Sequence, residues 1–225
     1  MQRIAVFSDI HGNLEALKSV LYEIDKNKYD EIICLGDTVG IGPDSKECID
    51  LIRSREDIKM LLGNHELYQT RGTYIKDLSE DNRLHAEKIS STLKKEDIEY
   101  LNNLPFVYEK LLNGKLFTFT HFIIDNPNAD YPFLVFDTYA ELREKVAEFP
   151  ANYLVMGHLH KKAYLNKDNL NVFVLESSGC TLSNVTSFIE IRVDNEITIN
   201  TKYVTYDRKA FDKKSKAFEY PYTME

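Results

Sequence analysis

Ten polar residues fall in five short blocks, and most are of types that hold metal ions. The blocks are Asp9-Ile10-His11, Gly36-Asp37, Gly63-Asn64-His65-Glu66, Thr120-His121 and Gly157-His158-Leu159-His160. Five of the six histidines lie in them. Carboxylate, amide carbonyl and imidazole donors form a mixed set that suits Mn²⁺, Fe, Zn²⁺ or Ni²⁺ better than Ca²⁺ or Mg²⁺. A carboxylate such as Asp37 has two oxygens and can bridge two ions, whereas Asn64 offers one carbonyl oxygen. Taken singly, each block has an ordinary explanation, because Asp-x-His and Gly-Asp are common in turns. Five together, each just past an apolar run, point to one dinuclear metal centre.

Those apolar runs must position the donors. Residues 3–7, 31–35 and 59–62 read as buried strands. A helix capped by Asn13 separates the first two, with Leu14, Leu17, Val20, Leu21 and Ile24 on one face, and Pro43 and Asp44 open a second helix. Strand–helix–strand alternation predicts a parallel sheet with right-handed crossovers. Groups just past the carboxyl ends of neighbouring parallel strands share one crevice. Asp9 and His11 are two apart in a segment read as extended, so they are expected to point the same way, as are His158 and His160.

Residues 81–104 turn helical through Leu84, Ile89, Leu93, Ile98 and Leu101. Strands then dominate, at 106–109, 115–120, 153–156, 163–166, 172–176, 186–193 and 196–204, with a helix over 137–148. The expected fold class is α/β (α+β), a four-layer αββα sandwich of two mixed sheets packed face to face with helices outside. One domain is expected over 1–205, followed by a C-terminal tail over 206–225 whose basic run from Arg208 to Lys216 reads as solvated.

The 225 residues carry a formal net charge of -8, which excludes the basic face of a general nucleic-acid binder. No transmembrane-length apolar run and no secretory signal pattern are present, so a cytoplasmic location without membrane attachment is expected. Three cysteines (Cys34, Cys48, Cys180) without a CxxC pair read as small buried hydrophobes in a reducing compartment. The oligomeric state is left open.

As an ordered set the five blocks resemble the calcineurin-like metallophosphoesterase superfamily, and most closely its small bacterial and archaeal single-domain phosphodiesterase-type branch. The resemblance spans residues 9 to 160. It implies that Asp9, His11 and His160 hold one divalent ion and Asn64, His121 and His158 a second, with Asp37 bridging and Mn²⁺ the expected metal. Two such ions about 3.5–4 Å apart would share a water and lower its pKa, generating a hydroxide that attacks phosphorus. His65 would protonate the leaving group or stabilise the phosphoryl oxygens. The implied substrate is a small phosphorylated molecule.

The protein serine/threonine phosphatases of this superfamily carry Gly-Asp-x-Val-Asp-Arg-Gly. Here the run is Gly36-Asp37-Thr38-Val39-Gly40-Ile41-Gly42, with Gly40 in place of the second aspartate and Ile41 in place of the arginine. Losing a bidentate arginine weakens the grip on a dianionic monoester, so a phosphodiesterase is expected. Arg71 or Arg83 could substitute. The alternatives are a phosphomonoesterase or a nucleotide pyrophosphohydrolase of the dinucleoside polyphosphate type. A non-enzymatic scaffold, like the retromer subunit of this fold, is disfavoured by the full ligand set. Phe122, Tyr131, Phe133 and Phe136 lie in a long loop that could stack a base or pack on the sheet. Ser177-Ser178-Gly179-Cys180 could line the crevice through backbone groups, and His85 reads as a packing residue.

Overall fold

The computed structural model describes residues 1–72, 79–125, 134, 138–147 and 149–218. Tyr131, Phe133 and Phe136 lie outside them. The first sheet contains β1 (Gln2–Phe7), β2 (Glu31–Cys34), β3 (Ile58–Met60), β9 (Val185–Val193) and β10 (Ile197–Thr205), in the order β10-β9-β1-β2-β3. The second contains β4 (Val107–Leu112), β5 (Lys115–Thr120), β6 (Tyr153–Met156), β7 (Ala163–Lys167) and β8 (Leu170–Val174), in the order β4-β5-β6-β8-β7. Each sheet has a parallel triplet at its centre or flank, β1-β2-β3 in one and β5-β6-β8 in the other. The remaining pairs are antiparallel.

Alternation along the strands builds three apolar layers. Ile4 and Val6 face Phe117, Phe119 and Val155 between the sheets. Ala5 and Phe7 face the other way, onto helices α1 (Leu14–Asn27) and α2 (Ser45–Arg53). Leu154 and Met156 pack under α6 (Tyr139–Lys145). The αββα sandwich expected from the sequence is the observed architecture. Asn13 caps α1 as its pattern predicts, its side chain accepting from the Ala16 N–H.

Several details differ from expectation. The helical stretch resolves into α4 (Glu80–Thr92) and α5 (Lys95–Asn102), because Leu93 and Lys94 are extended and the Asp97 carboxylate accepts from the Lys94 N–H at 2.8 Å. A further helix, α3 (Asn64–Arg71), starts at the third strand end; it shows no apolar stripe, and only Asn64, Glu66 and Leu67 are buried. The run read as a solvated tail is instead helix α7 (Arg208–Ala217). Phe211 buries against Ala16 and Tyr206, and Lys214 pairs with Glu15 and Asp44 at 2.9 Å each. Phe218 packs on the first core layer beside it, so apolar anchors and ion pairs together dock the segment. No helix among the described residues is long and apolar enough to cross a membrane.

Candidate metal centre

All eight candidate residues sit at the carboxyl ends of the parallel strands, where the two sheets face each other. Asp9 and His11 follow β1, Asp37 follows β2, and Asn64 and His65 open α3 after β3. His121 follows β5, and His158 and His160 follow β6. The loops are stitched by backbone hydrogen bonds: Asp9 N–H to Gly36 O at 3.0 Å, His11 N–H to Asp37 O at 2.8 Å, and Gly157 N–H to His121 O at 3.1 Å.

The extended geometry expected for Asp9-x-His11 and His158-x-His160 is not found. Asp9, His11, Asp37, His158 and His160 all have left-handed backbones, with φ of 58°, 49°, 52°, 72° and 56°. That conformation costs a non-glycine residue about 1–2 kcal/mol. The turns are therefore imposed by the surrounding hydrogen bonds and packing, and they send neighbouring side chains to different partners. His160 Nε2 meets His11 Nε2 at 2.9 Å and Asp9 Oδ1 at 3.3 Å. His158 Nδ1 meets Asn64 Oδ1 at 2.8 Å, and His121 Nε2 lies 3.1 Å from the same oxygen.

Two donor clusters result, joined by Asp37. Its Oδ2 is 3.1 Å from His121 Nε2 on one side and 3.7 Å from His11 Nε2 on the other. Donors sharing one ion at bond lengths near 2.1 Å are separated by about 3–3.4 Å, which is the scale of these spacings. Asp9 Oδ1 gives a second test. It is buried and has no hydrogen-bond partner among the described residues, yet imidazole nitrogens of His160, His11 and His121 surround it at 3.3, 3.7 and 3.8 Å. No lysine or arginine pairs with Asp9 or Asp37 among the described residues. Two buried carboxylates with only imidazoles and amides around them call for a cation. The donor set and its spacing fit divalent metal ions.

Supporting contacts orient the donors. The Nδ1–H of His11 donates to the Val39 carbonyl at 3.3 Å, leaving Nε2 bare toward the centre. Asn64 Nδ2 donates to Tyr68 Oη at 3.3 Å, which turns Oδ1 toward the two histidines. Glu66 is the residue whose role sequence reasoning missed. Its carboxylate accepts from the N–H groups of Asp37, Thr38 and Gly63 at 2.8 Å and of Val39 at 3.2 Å, clamping the β2 loop to the β3 loop.

Burial opposes ionisation of Asp9 and Asp37, but the neighbouring imidazoles, His121 foremost, outweigh it and hold both carboxyls below their ordinary range. His121 moves the other way: burial disfavours its charge, yet Asp37 and Asp9 raise it to about 9. Burial lowers His158 to about 4. Burial also lowers His65 to about 3 against the pull of Asp37. Glu66 rises to about 7 through burial and the charge of Asp37.

His65 stands beside these groups, its ring 4.6 Å from that of His11. Gly40 has a φ of +90°, and a Cβ there would lie 2.1 Å from His65 Nδ1. The aspartate of the protein phosphatases therefore has no room at position 40 while His65 keeps this place. Phe122, considered for substrate stacking, is 2% exposed and packs edge-on to His121, His158 and Phe106, forming a wall behind the centre. Arg71, the other candidate for substrate contact, lies exposed with its guanidinium 5.4 Å from the Phe106 ring centre. His85 is buried in α4, as expected of a packing residue. Residues 177–180 do line the crevice: Ser178 N–H donates to Ser8 O and Gly179 N–H to Asp9 O, each at 2.9 Å.

The family model of calcineurin-like phosphoesterases matches residues 2–162. An uncharacterized protein of Methanocaldococcus jannaschii is 30% identical over 215 residues, covering 94% of this chain and 80% of that one. A symmetrical bis(5'-nucleosyl)-tetraphosphatase of Pectobacterium atrosepticum is 39% identical over 62 residues, 27% of this chain and 22% of its own length. A metallophosphoesterase from Sphaerobacter thermophilus has the same fold, with a TM-score of 0.75, 22% identity, and coverage of 98% of this chain and 95% of that one. The strand-end donors, the paired sheets and the sequence match converge, and the chain belongs to the calcineurin-like phosphoesterase family.

Proposed function

We propose that this phosphoester hydrolase is a dinuclear phosphodiesterase for a small phosphorylated substrate, with Mn²⁺ its preferred metal and Fe, Zn²⁺ or Ni²⁺ able to serve. Asp9, His11 and His160 would hold one ion, Asn64, His121 and His158 the other, and Asp37 both. The observation that carries this is Asp37, whose Oδ2 faces a histidine of each cluster. When bound, the ions supply Lewis-acid stabilisation of phosphoryl charge and a water acidified toward neutrality.

The chain's own residues do the rest. Because His65 is held down to about 3, its imidazole is neutral near pH 7 and serves as a hydrogen-bond donor to charge developing on the leaving oxygen. Gly40, with no side chain, leaves the space that the Nδ1 edge of the ring occupies. Preference for a diester follows from the fate of the arginines. Of the eight, seven pair with carboxylates away from the centre, and Arg71 lies over Phe106. Arg83 in particular is engaged by Glu87 at 2.7 Å. No guanidinium is left to clamp a dianionic monoester.

The test is Mn²⁺-dependent hydrolysis of bis-p-nitrophenyl phosphate against p-nitrophenyl phosphate at equal concentration. The diester should turn over faster, and a strong monoester preference would overturn this reading. The short likeness to the tetraphosphatase supports a second reading, cleavage of a nucleoside polyphosphate, so diadenosine tetraphosphate belongs in the same screen. His65→Ala should lower turnover with bound metal retained.

A further inference from the structure

The two halves of the proposed centre differ in donor chemistry, because a cysteine stands beside one of them. Cys180 follows β8, the third parallel strand of the second sheet, and its Sγ lies within 4.8 Å of ring nitrogens of both His11 and His160. Those two histidines face each other at 2.9 Å, and the orphaned Asp9 Oδ1 lies 3.3 Å from His160 Nε2. The thiol therefore borders a space that other buried donors already aim into.

Its position is fixed by backbone. Ser178 and Gly179 donate to the carbonyls of Ser8 and Asp9, Ser177 Oγ donates to Asp9 O at 2.7 Å, and Asn13 Nδ2 donates to Gly179 O at 2.9 Å. The Cys180 N–H then donates to Ser177 Oγ at 2.8 Å. A Cβ at Gly179 would lie 1.7 Å from the Ile10 carbonyl oxygen, so this approach requires glycine. Cys34 and Cys48, by contrast, are buried in the apolar layer between the first sheet and its helices.

Resting on the dinuclear reading above, we propose that Cys180 is a further metal ligand of the Asp9–His11–His160 position, supplying a thiolate that biases this half toward a thiophilic cation such as Zn²⁺ or Co²⁺. The half built on Asn64, His121 and His158 has no sulfur and keeps a preference for Mn²⁺. Zinc–sulfur and zinc–nitrogen bonds of about 2.3 and 2.1 Å put neighbouring donors about 3.1–3.6 Å apart, so closing the site takes a side-chain movement of at most about 1.7 Å. Asp9, His11, Asp37, His160 and Cys180 then offer five donors, a number zinc accepts. The thiol proton leaves to solvent as the sulfur–metal bond forms.

The test is a Co²⁺ titration of the full-length metal-free protein, followed by absorption spectroscopy. Visible ligand-field bands report that the centre binds the ion, and a near-ultraviolet charge-transfer band reports sulfur ligation. The wild type should show both. Cys180→Ser should keep the visible bands, lose the charge-transfer band, and bind the first Co²⁺ about 10–100-fold more weakly. Visible bands without charge transfer in the wild type, or an unchanged charge-transfer band in Cys180→Ser, would overturn the proposal while sparing the metal centre. Absence of visible bands in the wild type would overturn both. Should Cys180→Ser fold poorly, blocking the wild-type thiol with iodoacetamide before the titration gives the same readout.

Discussion

The two halves of the centre are built by different means. On one side Asn64 is the first residue of α3 and His121 comes directly after β5, so regular structure aims two of the three donors, while the third, His158, sits in a left-handed turn. On the other side all three, Asp9, His11 and His160, occupy left-handed turns held by neighbouring loops. The His121 side chain is fully buried, whereas that of His160 is 34% exposed. Phe122 closes the side of His121 and His158, and exposure in the other half is confined to His160, since Asp9 and His11 are buried. Substrate approach therefore belongs on the side of His160.

Breaking the link between the halves should have the largest effect. Asp37→Ala removes the proposed bridging carboxylate, and should lower turnover by about 10³-fold or more and reduce bound metal to one equivalent or less. Wild-type metal content by elemental analysis would show that the halves are independent. Glu66→Gln should come next. It leaves up to four loop N–H groups to share one carbonyl oxygen, at a cost of about 2–4 kcal/mol. The melting temperature should fall by about 5–10 °C, and an unchanged melt would mean the clamp is dispensable.

Gly40→Asp probes the departure from the protein phosphatases. The new Cβ would displace His65, so diester turnover should fall about 10²-fold at unchanged metal content. A gain in monoester hydrolysis would instead mean that the aspartate can orient His65 here.

The smallest effect is a pH signature of the buried half. His121 is raised from 6.5 to about 9 in the metal-free fold. Its stabilising contribution is full below pH 6.5 and is lost as pH rises through about 9. His158 and His65, lowered to about 4 and 3, act oppositely, since the unfolded chain takes up protons that the fold refuses as pH falls below 6.5. The metal-free protein should therefore melt highest near neutral pH. Because a ligand imidazole must be neutral, metal binding at pH 7.5 should release about one proton from His121. Calorimetry in buffers of different ionisation enthalpy measures it, and His121→Asn should lower the total release by about one proton.

The donors were legible because each sits just past an apolar strand, and strand ends can be read from hydrophobic runs. Their orientation was not. Left-handed turns at Asp9, His11, His158 and His160 are set by hydrogen bonds to loops far away in sequence, such as His11 N–H to Asp37 O, which no local pattern encodes. Glu66 was visible as the last letter of its block, but its clamp depends on two loops meeting. Helix α3 was missed because its buried face is Asn64, Glu66 and Leu67, two of them polar. Cys180 read as a small buried hydrophobe at the end of a run lining the crevice through backbone groups, and the pairing of β6 with β8 brings it beside His160.

The central claim is that two ions sit where these donors converge, and anomalous X-ray diffraction from Mn²⁺-soaked crystals tests it most directly. Two peaks are expected, one bounded by Asp9, His11 and His160 and one by Asn64, His121 and His158, with the Asp37 carboxylate between them. A single peak, or peaks that leave Asp37 unligated, would contradict it.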